Sequence, residues 1–430
     1  MNIRIKLILL LLLATGSLQA QDAVKQMRYE NYVYEDNFKT VLLYKSGGVD
    51  PYPVINLATG ETLELSFDQL GTQNDYYQYT LIHCDAAWRP TNMNQNEYLV
   101  GMNMDNINNF KFSTNTYVRY VHYSITLPNE NMKPRLAGNY LIKVFRNYDE
   151  SDVVITRRCY VLNTKVNITS SVKPATLAQY RFTKQEVDFE INYKGYSIPQ
   201  PFQDLKVTIL QNNRVDNAIT DLKPQFMTGE VLQYDFQQGN LFDGGNEFRW
   251  FDIRGLRGLS PNVRSKTKDT ASVYHCLLNF DENRASTSYL NWQDFNGRRI
   301  IENKDMSGSN AGITGDYAWV SFYLNSMFKL QEGDVYLFGE FTDWQLKEEY
   351  KMHYNKAKLR YEAETFLKQG RYEYIYVVPG EDGKPNEAPI EGMHYETEND
   401  YLILVYHRNQ QFNYDELIGY KMGTSGVLKR

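Results

Sequence analysis

The chain has 430 residues, with 46 Lys and Arg against 52 Asp and Glu, and a formal charge of −6. An apolar content of 42% with 14% aromatic residues excludes a disordered chain, and 27 Gly with 13 Pro exclude a collagen-like one. Three cysteines are too few for a disulfide scaffold, and the acidic balance argues against general nucleic-acid binding.

Residues 1–20 read as a cleaved secretory signal. Arg4 and Lys6 open it, residues 7–13 form an unbroken apolar run, and Ala20 closes a small-residue exit. The run is too short to span a bilayer, which takes ~20 apolar residues. Cleavage removes two cations and no acid, so the exported chain carries −8. Beyond the inner membrane disulfides are permitted, but Cys84, Cys159 and Cys276 allow at most one pair and show no CxxC spacing.

Period-two alternation dominates the chain after the signal. Tyr140, Ile142 and Val144 predict a strand after Ala137-Gly138. Val187, Phe189, Ile191 and Tyr193 alternate with Glu186, Asp188, Glu190 and Asn192, the pattern of a half-buried strand. Leu205, Val207 and Ile209 continue it after a turn. Residues 371–378 (RYEYIYVV) and 401–406 (YLILVY) predict further strands, the latter buried on both faces. Long 3.6-residue patterns are nearly absent, so the expected fold class is all-β, built of several tandem β-sandwich domains. A transmembrane barrel is disfavoured by irregular strand spacing and by the polar end of the chain. The expected division is an N-terminal sandwich over 21–162, a middle sandwich over 163–283, a linker or long loop over 284–315, and a C-terminal sandwich with a tail over 316–430.

Candidate chemistry is sparse. His83, Cys84 and Asp85 are adjacent, but strand neighbours point to opposite faces and cannot converge on a metal. No HExxH, GxSxG, phosphate-binding loop or dinucleotide fingerprint occurs. The expectation is therefore no catalytic residues, no metal and no cofactor. The most distinctive run is GGNEFRWFDIR at 244–254. Its Gly pair implies a tight turn or close backbone approach, and Arg249, Trp250, Arg254 and Arg257 form a candidate partner-binding set, because Trp and Arg are favoured anchors. The run VYLFGEFTDW at 335–344, with the segments at 352–355, 359–362 and 367–376, resembles early-set sandwich domains that bind glycogen. That resemblance makes Trp344 a possible vestigial sugar contact, and a periplasmic carbohydrate-binding sandwich protein the alternative function.

Over nearly the whole chain, one ordered series of motifs resembles the plug-protein family of the type IX secretion system of Bacteroidota. The series includes YTLIHCDAAW (79–88), NEYLVG (96–101), NTYVRYVHYSITLPNE (115–130), GNYLIKVF (138–145) and ITRRCYV (155–161). It continues with LQNNRVDNAITDLKPQF (210–226), GGNEFRWFDIR, LFGEFTDW (337–344), LKQGRYEYIYV (367–377) and EGMHYETENDYLILVYHR (391–408). The resemblance implies a periplasmic protein without enzymatic activity. It implies binding, as a monomer, to the periplasmic mouth of a very large outer-membrane β-barrel translocon, sealing the pore against leakage. It implies no membrane span and no nucleic-acid partner, and supplies no contact residues.

Overall fold

The structure is a computed structural model that describes residues 25–47, 51–306 and 308–426. The signal expected at 1–20 lies outside the described residues. Helix among them is confined to short turns such as Gln95–Tyr98 and Ala388–Glu391; strands make up nearly everything else that is regular.

The N-terminal sandwich packs two sheets face to face. One runs in the order Tyr32–Val33, Asp149–Leu162, Gly138–Arg146, Tyr77–Cys84, Asp105–Asn106, with Val54–Asn56 added in parallel beside the end of Asp149–Leu162. The other runs Phe38–Lys45, Leu63–Leu70, Tyr120–Leu127, Asn109–Phe112. Alternate residues meet between them: Leu65, Phe67 and Tyr123 face Tyr79, Leu81, Ile142 and Val144. The strand expected from Tyr140, Ile142 and Val144 is Gly138–Arg146. It is buried on both faces, because it lies in the middle of its sheet and the rest of the molecule covers its outer side. Its one awkward residue, Lys143, reaches Glu150 at 2.8 Å.

The middle sandwich departs from the expected division. Its first sheet runs Asn167–Pro174, Lys184–Asn192, Val231–Tyr234, Phe226–Thr228, with Leu241–Asp243 also beside Lys184–Asn192. The alternation read over 186–193 holds in this sheet, since Val187, Phe189 and Ile191 are buried. Its second sheet runs Ile219–Thr220, Leu205–Gln211, Asp400–Asn409, Tyr414–Thr424. Thus YLILVY, expected in the C-terminal sandwich, completes the middle one, and Tyr414–Thr424, also within the span expected for the C-terminal sandwich and its tail, is its last strand. The third sandwich is inserted between Asp243 and Asp400. It packs Arg249–Asp252, Gly370–Pro379 and Arg299–Ile301, with Tyr336–Phe338 and Pro385–Asn386, against the sheet Val263–Lys268, Tyr274–Asp281, Tyr317–Asn325, Arg360–Lys368, His353–Asn355. A boundary at 283 or 316 would cut this second sheet, because Tyr274–Asp281 pairs in parallel with Tyr317–Asn325. Residues 284–315 belong to the third sandwich rather than linking sandwiches: a long, mostly irregular stretch that contributes the edge strand Arg299–Ile301 and the helical turn Ala311–Thr314. The indole of Trp292 donates to the Phe248 carbonyl at 2.9 Å, and Phe248 N–H donates to Asp294 at 2.5 Å.

The reason for the discontinuous middle sandwich lies in the strand Asp400–Asn409. Tyr401, Ile403 and Val405 fill the middle core, while Leu402, Leu404 and Tyr406 join a separate cluster with Tyr52, Val54, Tyr160 and Leu162 of the N-terminal sandwich. A strand apolar on both faces is stable only between two bodies, at ~25 cal/mol per Å2 of apolar surface buried.

Candidate interaction surfaces

The three sandwiches touch pairwise, and each contact is made of buried polar ties as well as apolar packing. Between the N-terminal and middle sandwiches, the Tyr406 hydroxyl donates to Asn139 Oδ1 at 2.8 Å and the Tyr52 hydroxyl to Asp400 at 2.7 Å. Asp415, fully buried, accepts from Ala86 N–H at 3.0 Å and from Lys206 at 2.9 Å. Burial alone would raise its carboxyl, but these hydrogen bonds and the cations Lys206 and Arg408 hold it below the usual range.

Between the N-terminal and third sandwiches the tie is ionic. Asp68, 0% exposed, accepts from Lys368 Nζ at 2.6 Å, from the Tyr317 hydroxyl at 2.7 Å and faces His122 Nδ1 at 2.6 Å. Lys368, 1% exposed, also donates to the Gly312 carbonyl at 2.7 Å and lies 4.1 Å from the Tyr120 ring centre. Burial pulls its ammonium below the usual lysine range and Asp68 pulls it back up. Asp316 of the third sandwich caps the N–H groups of Tyr117 and Val118 at 2.8 and 3.0 Å.

The middle and third sandwiches meet around Arg214. Its guanidinium pairs with Asp216 at 2.8 Å, approaches Glu387 at 3.6 Å, and stacks 5.1 Å from Phe338 and 5.5 Å from Trp344. Beside it, Arg157 of the N-terminal sandwich pairs with Asp343 at 3.2 Å. Contacts on all three sides fix the relative placement of the sandwiches, as dense interdomain packing does.

The sequence-derived candidates fall at different depths. Arg249 is buried: its guanidinium binds Glu391 at 3.0 Å, Asp281 at 2.9 Å and the Glu282 carbonyl at 2.7 Å, so its donors are spent inside the third sandwich. That removes it from the expected surface. Trp250 is half-buried under the Arg371 guanidinium, 4.4 Å from its ring. Arg254 is tied to Asp252 at 2.6 Å and Glu302 at 2.8 Å. Arg257 is exposed and stands two residues from Leu259, which is fully exposed at the same loop tip. The Gly pair does mark a close approach: a Cβ on Gly244 would lie 2.1 Å from the His394 carbonyl oxygen, and Gly245 has φ +67°.

Trp344 sits at the junction of the three sandwiches. Its ring packs against Phe248 and Phe338 at 5.9 and 5.4 Å, and its edge fits over Gly297, where a Cβ would be 2.4 Å away. With Arg214 also against it, the indole serves internal packing, whereas sugar stacking needs a free ring face. His83 is buried against Thr91, and burial pushes its imidazole down to about 4. Asp85 closes the turn into Trp88, accepting from Ala87 and Arg89 N–H at 2.9 Å. The acidic trio Glu186, Asp188 and Asp235 already holds the Lys173 ammonium, which pairs with Glu186 at 3.2 Å and with Asp188.

All three cysteines are free and buried. Burial raises the Cys84 thiol to about 12 and the Cys276 thiol to about 11. Native protein at pH 8 is therefore expected to leave all three unlabelled by a thiol reagent over minutes, with three equivalents released on unfolding. Rapid labelling of any one without denaturant would contradict the packing described.

Asp68, Lys368, Tyr317, Arg157, Asp343 and Arg214 had no sequence signal as a group, because each tie joins residues far apart in the chain. The one readable sign was the two-faced apolar strand at 401–406.

Residues 38–163 match the family model for the first domain of the type 9 secretion system plug protein, a span that coincides with the N-terminal sandwich from Phe38 to Leu162. No curated protein matches the chain. Among solved structures, a hypothetical protein from Parabacteroides merdae is 32% identical, covers 93% of this chain and 100% of its own, and superposes with a TM-score of 0.88.

Proposed function

Because the chain belongs to the plug-protein family of the type IX secretion system, we propose that it is a periplasmic stopper. In this reading it docks as a monomer on the periplasmic mouth of the system's giant outer-membrane β-barrel translocon and seals the pore against leakage. The family is one of secretion plugs, not of enzymes. The observation that carries the reading is the plug-domain match on a body of three mutually braced sandwiches. A stopper must resist pressure on one face without deforming, and ties such as Asp68–Lys368 and Arg157–Asp343 supply that resistance. No described helix is long and apolar enough to cross a membrane, so membrane association in this reading runs through the partner. The export signal read at residues 1–20 supplies the route to the periplasm.

Reversible docking calls for a moderate, partly polar interface made by loops at the end of a sandwich. The exposed tip carrying Arg257 and Leu259 fits this description, with a cation beside an apolar side chain. Affinity purification of the tagged chain from outer-membrane extract is expected to recover one very large β-barrel protein. Arg257→Glu with Leu259→Asp is expected to reduce that recovery at least fivefold with unchanged thermal stability. Recovery of no barrel by the unaltered chain would overturn the plug reading; unchanged recovery by the variant would move the contact elsewhere.

A further inference from the structure

Two strand edges open onto one cleft. Phe38–Lys45 lies at the edge of its sheet, paired on one side with Leu63–Leu70 and with no strand on the other. Arg299–Ile301 is likewise an edge, paired only with Gly370–Pro379. Leu42, Leu43 and Tyr44 on one wall and Arg299, Ile300 and Ile301 on the other line a cleft of about 990 Å3 between the N-terminal and third sandwiches.

The backbone of each wall points into that space in alternation. Ser46 N–H donates to the Thr62 carbonyl at 2.8 Å, which turns the peptide groups of Tyr44 and Leu42 toward Leu63–Leu70 and those of Leu43 outward. Glu302 N–H donates to the Gln369 carbonyl at 3.3 Å, so Ile300 faces its partner strand and Ile301 faces away from it. The molecule satisfies the neighbouring outward groups itself: Arg299 donates from its guanidinium to the Val41 carbonyl at 2.7 Å and from its N–H to Glu340 at 2.8 Å. The outward N–H and C=O of Leu43 and Ile301 meet no hydrogen-bond partner among the described residues. Proteins ordinarily hide or charge such edges; here two of them line the same recess.

We propose that this cleft binds an extended segment of a partner polypeptide, which adds a strand to one or both edges. An extended backbone is the ligand whose own donors and acceptors alternate at the spacing these edges present. The lining carries Lys111, Arg299, Lys304 and Lys368 against Glu64, Glu302 and Glu340, and because Lys368 is already paired with the buried Asp68 the charges left to a ligand balance. That balance selects a segment of low net charge over a phosphate-bearing ligand. The volume suits the segment: at ~3.3 Å rise, ~4.8 Å between strands and ~10 Å between sheets, the cleft holds about six strand residues. The inference goes beyond the stopper reading and does not depend on it.

The test uses the full exported chain and a phage-displayed library of random dodecapeptides, with the best binder resynthesised. Saturating peptide is expected to slow amide exchange at Leu43 and Ile301 at least tenfold. Ile301→Pro, which removes an outward donor and no native ladder bond, is expected to weaken binding at least tenfold, while Ile301→Val stays within threefold. If the proline variant does not fold, the exchange pattern of the unaltered chain still decides. A library that yields no binder, or binders that protect amides elsewhere, overturns the proposal. Neither result bears on recovery of the translocon, so the two readings fail separately.

Discussion

Replacing Lys368 by methionine is expected to destabilise the protein by about 3–5 kcal/mol, the usual cost of breaking a buried ion pair by removing one partner. The change leaves Asp68, 0% exposed, with the Tyr317 hydroxyl and the His122 ring and no buried cation. It also strips the Gly312 carbonyl and the Tyr120 ring of the ammonium that spans them. Asp68→Leu alone should cost as much, because it strands an ammonium that burial already disfavours. The combination of Lys368→Met with Asp68→Leu should recover part of the loss, since an apolar pair of similar volume removes both desolvation penalties. The measurement is urea unfolding followed separately by N-terminal and third-sandwich probes, because three bodies need not unfold as one. Each single variant should uncouple the two probes and shift both midpoints down. Single-variant losses below about 1 kcal/mol would mean that the pair does not brace the sandwiches.

Stability is expected to fall between pH 5 and pH 8.5. Burial is the main cause that raises the Glu373 carboxyl to about 8, with the charge of Asp294 adding to it. Burial likewise raises Glu247 to about 7 against the Tyr289 hydrogen bond, and Glu387 to about 7 against Arg214. In the unfolded chain these groups titrate near the ordinary ~4.3. Between that value and the folded one, the folded state holds protons that the unfolded state has released, so stability drops as pH rises through the window and levels off above about 8. At ~1.4 kcal/mol per pH unit and group, the loss is on the order of 3 kcal/mol for each carboxyl. The carboxyls held low, such as Asp415 and Glu391, act in the opposite sense only in more acidic solution, whereas the His83 imidazole, held down to about 4, opposes the decline up to its unfolded value of ~6.5, so the fall is shallower below that pH than just above it. Melting temperatures taken every half unit should therefore decline from pH 5 to 8.5, and Glu373→Gln should flatten the decline. A profile that rises over this range would refute the burial of these carboxyls in the folded state.

Much of the strand content was legible because period-two alternation is a local property. Val187, Phe189 and Ile191 announced their strand, and so did Leu205, Val207 and Ile209, since each needs only one covered face. The partition into sandwiches was less legible. Residues 401–406 declared a strand buried on both faces, yet nothing local said that Leu210 and Ile403 would lie in adjacent strands of one sheet, with some two hundred residues between them. Arg249 shows the same limit at a single residue. An Arg beside a Trp reads as a surface anchor until Glu391, brought in by a distant turn, turns it into an internal tie.

Composition, periodicity and motif order are carried by neighbours along the chain, and they were enough for the all-β class, the absence of familiar catalytic signatures and the family. Packing in three dimensions was needed to insert the third sandwich into the middle one, to lock two bodies together through Asp68 and Lys368, to place Trp344 at a junction, to keep the three thiols apart and buried, and to bring two strand edges to one cleft. These outcomes depend on which buried face finds which partner across long chain separations, and that choice is made by packing and by the satisfaction of buried polar groups.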